Sequence, residues 1–123
     1  MFEQRIAVLI VEDELLVRMD IADSLEEAGF DVFEAANAAE ALDILQRHAH
    51  IHALFTDVDM PGSMDGLKLA AHVRDRWPPI KIIVTSGHRK VAEEMLPDPG
   101  RFLAKPYNPQ SVITWIHELV AHA

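Results

Sequence analysis

At 123 residues, half of them apolar and a quarter charged, the chain has the length and balance of one globular domain, 1–123, rather than of a disordered or fibrous protein. Twenty acidic against eleven basic side chains give a net charge of −9, which repels a phosphate backbone and argues against direct binding of nucleic acid. There is no cysteine, which excludes disulfides, thiolate catalysis and cysteine-ligated zinc, and no apolar run nears the roughly 20 residues that cross a bilayer, so the chain is expected in the cytoplasm and off the membrane.

Ile6 to Val11 is a continuous apolar run rich in β-branched residues, as expected of a strand covered on both faces of a parallel sheet. After Glu12-Asp13-Glu14, the residues Leu15, Met19, Ala22 and Leu25 recur at helical steps, which predicts a helix burying that face and stopped by Gly29. Asp31 to Ala35 reads as a second strand, and Asn37 with Glu40 as a capping box that opens a helix through Ala41, Leu42 and Leu45. Ala53 to Thr56 leads into Asp57; a Pro-Gly loop spans Met60 to Gly66; Leu69, Val73 and Trp77 mark a third helix, ended by Pro78-Pro79. Ile82 to Thr85 and Arg101 to Ala104 are the fourth and fifth strands. Between them Arg89 to Leu96 can form only a short helix before Pro97 and Pro99. Asn108 as N-cap and Pro109 at the first helical position open the final helix, with Val112, Ile113, Ile116, Leu119 and Val120 facing inward. Strands alternating with helices imply an α/β domain: a doubly wound, five-stranded parallel sheet with right-handed crossovers.

Ligands of such sheets bind beyond the carboxyl ends of the strands, where the strand order reverses. Those ends carry Glu12 and Asp13, then Asp57, then Thr85 and Ser86, then Lys105. Three converging carboxylates repel one another, and a cation relieves them. Oxygen-only donors favour Mg²⁺ or Mn²⁺, and a phosphoryl group would suit the remaining lysine and hydroxyl. A carboxylate nucleophile beside a metal and a lysine is equipment for phosphoryl transfer through an acyl phosphate.

With these residues in place, the chain resembles the response-regulator receivers of two-component signalling, CheY-like and of the stand-alone type, over essentially its whole length. The resemblance is carried by Val8-Leu9-Ile10-Val11-Glu12-Asp13-Glu14, by Thr56-Asp57-Val58-Asp59-Met60-Pro61-Gly62 with Met64-Asp65-Gly66, by Ile83-Val84-Thr85-Ser86-Gly87, and by Lys105-Pro106-Tyr107. It implies a (βα)5 flavodoxin-like fold of strand order 2-1-3-4-5, with Asp57 as phospho-acceptor. By the same resemblance Glu12, Asp13, Asp57 and the backbone carbonyl of Asp59 hold the metal, and Lys105 pairs with the phosphoryl group. Thr85 and Phe102 form the switch, and Lys105-Pro106 is a cis peptide. A sensor histidine kinase or histidine phosphotransfer protein is the implied donor. With no output domain, the signal passes to a downstream protein that the sequence does not name, and a phosphorylation-dependent dimer is compatible with it. The chain departs from the common pattern in one extra residue around Gly62-Ser63, in Ser86 where alanine is usual, and in the short proline-broken helix.

Two other functions share these residues. Asp57-x-Asp59 mimics the nucleophile and acid of a haloacid-dehalogenase-like phosphohydrolase, but there the pair follows the first strand of a longer chain. A pseudo-receiver would signal without phosphate, and the complete acid, hydroxyl and lysine set argues against it. His48, His50 and His52 read as a solvated run without function, and Trp77 and Trp115 as core residues.

Overall fold

The computed structural model describes residues 5–60, 62, 64–87 and 100–121. The first apolar run is strand β1 (Ala7–Val11), buried at every residue. β3 (Ala53–Asp57) is buried throughout as well, and β4 (Lys81–Ser86) is buried apart from Lys81. β2 (Asp31–Ala35) and β5 (Gly100–Ala104) lie at the two edges and are partly exposed. All pairings are parallel, in the order β2-β1-β3-β4-β5, which is the order the family resemblance implies.

Because strand side chains alternate between faces, the sheet feeds two cores. Leu9, Val11, Leu54, Ile82 and Val84 meet α2 (Ala38–Arg47) and α3 (Gly66–Arg76) through Ala41, Leu45, Leu69, Ala70 and Val73. Val8, Ile10, Phe55 and Ile83 meet α1 (Leu15–Glu27) and α4 (Pro109–Ala121) through Ile21, Ala22, Leu25, Val112 and Ile116. Each fully buried leucine or isoleucine contributes roughly 1.5–3 kcal/mol. Two apolar layers around a central sheet therefore hold its carboxyl edge as a rigid platform.

The caps follow the sequence. Asn37 Oδ1 accepts from the Glu40 N–H at 2.9 Å, while Glu40 Oε1 accepts from Ala36, one residue ahead of the cap, at 2.8 Å. Asn108 Oδ1 accepts from the Gln110 N–H at 2.9 Å, and Gly29 leaves α1 at φ 97°, a left-handed conformation that favours glycine.

Three expectations are corrected. Leu15 and Met19 are 56% and 46% exposed, so the buried stripe of α1 is Ile21, Ala22 and Leu25. Apolar spacing set the period of the helix, but its phase is fixed by where it meets the sheet, and one inward position of the first turns is filled by Arg18. The histidines are solvated only in part: His50 is exposed and His48 and His52 are half-buried, His52 Nδ1 accepts from the Ala7 N–H at 2.9 Å, and the His48 and His50 rings lie 4.6 and 5.9 Å from Phe33. Trp77 and Trp115 are only half-buried, each flanking a core and each under an arginine, Arg76 and Arg101 respectively. The short helix expected over 89–96 lies outside the described residues.

Candidate functional site

The chain leaves β1 toward β2 on one side and returns to β3 on the other. The loops therefore diverge at the carboxyl ends of β1 and β3 and open a crevice there. Glu12 and Asp13 follow β1, Asp57 ends β3, and a carboxylate oxygen from each lies within 4.8 Å of the others. Glu12 and Asp57 are buried and Asp13 is exposed. Lys105, following β5, reaches into the cluster: its Nζ is 3.1 Å from Asp57 Oδ1 and 3.6 Å from Glu12 Oε1. The Lys105-Pro106 peptide is cis.

One ammonium among three carboxylates leaves an excess of negative charge. Burial raises the Asp57 pKa, and the bond to Lys105 and its charge offset this only in part. Burial also raises that of Glu12, against the Glu14 N–H bond and with the added repulsion of Asp57. For Lys105 burial works against the charge, but its bond to Asp57 and the attraction of Asp57 and Glu12 outweigh it, so its pKa lies above the ordinary value. The Tyr107 hydroxyl is pushed up to about 12 by burial and by Glu12, Asp20 and Asp57. Hard oxygen donors, two of the three buried and all short of positive charge, fit a divalent cation of the Mg²⁺ type.

Thr85 pairs with Asp57 in the register of β3 and β4. Its Oγ1 is buried and finds no hydrogen-bond partner among the described residues. A hydroxyl so placed is costly until an oxygen arrives to accept from it. Thr85→Val, which keeps the shape and deletes the hydroxyl, is therefore expected to raise the stability of the unmodified protein by about 1 kcal/mol in urea unfolding. A loss of that size would show that the hydroxyl is already satisfied.

Asp59 sits in the loop beyond β3. Its N–H reaches Asp57 Oδ1 at a long 3.4 Å, and its Oδ2 accepts from Ser86 Oγ at 3.3 Å, so the second hydroxyl of the sequence motif is turned toward Asp59. Gly66 opens α3 directly behind Asp57, its N–H donating to Val58 O at 3.0 Å. A Cβ at Gly66 would overlap the Asp57 carbonyl and crowd the Val58 Cα. Gly66→Ala should therefore cost about 1–3 kcal/mol, read in denaturant unfolding, and should displace Asp57; an unchanged midpoint would contradict this packing.

Glu12, Asp13, Asp57 and Lys105 thus converge, with Thr85 beside Asp57 and Asp59 at the margin. Phe102 is not in that cluster: it is half-buried on β5 beside Val84, against the core under α2 and α3. Sequence reasoning missed Arg18 and gave Tyr107 no role. Arg18 Nη1 donates to the Glu12 carbonyl at 2.9 Å, and the signal for it was a charged residue at an inward position of an amphipathic helix.

Comparison with known proteins agrees with this arrangement. Residues 8–117 match the family described as response regulator receiver domain. The chain is 37% identical over 117 residues to the sensor kinase CckA of Brucella abortus, and 30% identical over 119 residues to the response regulator receiver protein CpdR of the same organism. It spans 12% of the length of CckA but 98% of that of CpdR. A response regulator receiver protein from Sinorhizobium medicae superimposes with a TM-score of 0.88 at 26% identity, over 96% of each chain. An acid-lined crevice on a 2-1-3-4-5 sheet, together with a family match over nearly all of its residues, places this chain in the response-regulator receiver family of two-component signalling.

Proposed function

We propose that Asp57 accepts a phosphoryl group from a histidine kinase or a histidine phosphotransfer protein and later loses it to water. The observation that carries this reading is Asp57 itself, buried beside two further carboxylates with Lys105 Nζ at 3.1 Å. In the transfer an Asp57 oxygen attacks phosphorus, an O–P bond forms as the donor's N–P bond breaks, and the electron pair leaves with the donor imidazole. Glu12, Asp13, Asp57 and the Asp59 carbonyl would hold Mg²⁺ or Mn²⁺. Such an ion neutralises charge on the transferring oxygens when bound. Lys105 meets one phosphoryl oxygen from its present place, and the unpartnered Thr85 hydroxyl donates to another. That bond would draw β4 toward the site and let Phe102 turn inward from the edge of its core, which is the signal.

The donor has a surface to approach. A groove of about 630 Å³ is lined by Glu14, Leu16, Val17, Lys105 and Tyr107, among others, and Leu16 is 79% exposed. Output then passes, in the cytoplasm, by contact with another protein or through a phosphorylation-dependent dimer. No described helix is long and apolar enough to cross a membrane.

A phosphohydrolase built on Asp57 and Asp59 would turn over many esters per chain. Incubation with p-nitrophenyl phosphate and Mg²⁺ separates the two: a receiver holds at most one phosphoryl group at a time and releases nitrophenol no faster than the phosphorylated chain loses that group to water. Release that outruns this loss, or that persists in Asp57→Asn, would overturn the reading.

A further inference from the structure

Arg18 lies on α1 with its side chain 16% exposed, far more buried than a solvated arginine. Its guanidinium makes two contacts: Nη1 donates to the Glu12 carbonyl oxygen at 2.9 Å, and Nε stands 3.2 Å from Glu34 Oε1 on β2. The Glu12 carbonyl belongs to the peptide joining Glu12 to Asp13. A peptide is planar, so fixing its oxygen fixes the direction in which the chain enters Asp13. The preceding peptide is held too, since the Glu12 N–H donates to Ala35 O at 3.0 Å. The Glu12 side chain is fixed in turn by the Glu14 N–H on Oε2 at 3.1 Å. Arg18 is therefore the side-chain contact that orients the link between a buried acid and an exposed one.

Glu34 has a separate consequence. A guanidinium this close to the loop could swing toward the three carboxylates and take the cation's place. Its contact with Glu34 anchors it on the β2 side instead. The two charges are opposite and 3.2 Å apart, so the pair carries no net charge.

We propose that Arg18 is a positioning residue for the divalent cation: it locks the Glu12-Asp13 peptide so that both carboxylates face one ion, and Glu34 holds it in that role. This rests on the reading of Glu12, Asp13 and Asp57 as the metal site. Loss of the lock should weaken Mg²⁺ binding, whereas loss of a nearby positive charge alone should strengthen it. The paired variant Arg18→Ala/Glu34→Gln removes one charge of each sign and so isolates the lock.

The test is calorimetric titration of the whole unphosphorylated chain with Mg²⁺, with thermal unfolding in EDTA recorded for each variant. The paired variant should bind Mg²⁺ about tenfold more weakly, and Arg18→Lys, which keeps one donor, should fall between it and wild type. Labelling by acetyl phosphate should return to the wild-type rate at saturating Mg²⁺, because only the metal dependence is altered. If the paired variant fails to fold, Arg18→Lys carries the test, and wild-type Mg²⁺ affinity in it overturns the proposal. Unchanged or tighter binding in a folded paired variant does the same. Failure of the wild type to bind Mg²⁺ at all would instead bring down the metal-site reading on which the proposal rests.

Discussion

In EDTA at neutral pH, Asp57→Asn is expected to unfold at a higher temperature than the wild type, while taking no phosphoryl group from acetyl phosphate. The stability effect follows from the raised Asp57 pKa, whose main cause is burial. The folded chain holds this proton to higher pH than the unfolded chain does. Stability is therefore present at acid pH and lost as pH rises from the ordinary carboxylate range through the raised value. Glu12, also raised by burial, adds a loss of the same sign. Asparagine removes the Asp57 share, so the gap between variant and wild type should be widest at neutral pH and should close on acidification. A gain on the order of 1 kcal/mol is expected, a few degrees in Tm. Mg²⁺ should reverse the order. At a hundred times its dissociation constant it stabilises the wild type by about 2.7 kcal/mol, and the variant, one carboxylate short, gains less. A variant less stable than wild type in EDTA would show that the buried charge is already compensated.

The second large effect is expected from Lys105→Met, which keeps the apolar stem and deletes the ammonium. Lys105 Nζ lies within reach of both Asp57 and Glu12, and its side chain is 31% exposed, so water shares in screening it. In EDTA the loss should be about 1–2 kcal/mol. The sign is opposite to that of Asp57→Asn, because here two buried carboxylates lose their cation. The raised Lys105 pKa means that its contribution is fully present at neutral pH and is lost as pH rises from the ordinary lysine value through the raised one. The deficit should also shrink at acid pH, where the carboxylates take up protons. Mg²⁺ affinity should rise, since a competing charge is gone, while labelling of Asp57 falls by tenfold or more for want of a donor to the phosphoryl oxygens. Labelling at the wild-type rate would remove Lys105 from the reaction.

Much of this was legible in the sequence because the information is local. Continuous apolar runs marked β1, β3 and β4, since a strand buried on both faces has no polar alternation. Asn37, Gly29 and Asn108 marked helix ends through hydrogen bonds made within a few residues. The acids and the lysine at successive strand ends announced a site because parallel strands all point their carboxyl ends the same way. What stayed hidden depends on contacts between elements. The phase of α1 was misread because apolar spacing is shared by the inward stripe and by exposed Leu15 and Met19. The hydrogen bond from Ala7 to His52 joins the starts of two strands, and nothing local to either residue foretells it. Arg18 likewise acts on a loop and on a neighbouring strand at once.

Whether Asp57 is the phosphoryl acceptor is decided by intact-mass measurement after incubation with acetyl phosphate. With Mg²⁺ the chain should gain the mass of one phosphoryl group, the gain should vanish in EDTA and in Asp57→Asn, and borohydride reduction followed by peptide sequencing should place it at residue 57. A gain that persists in Asp57→Asn, or one that maps to another residue, would contradict the assignment.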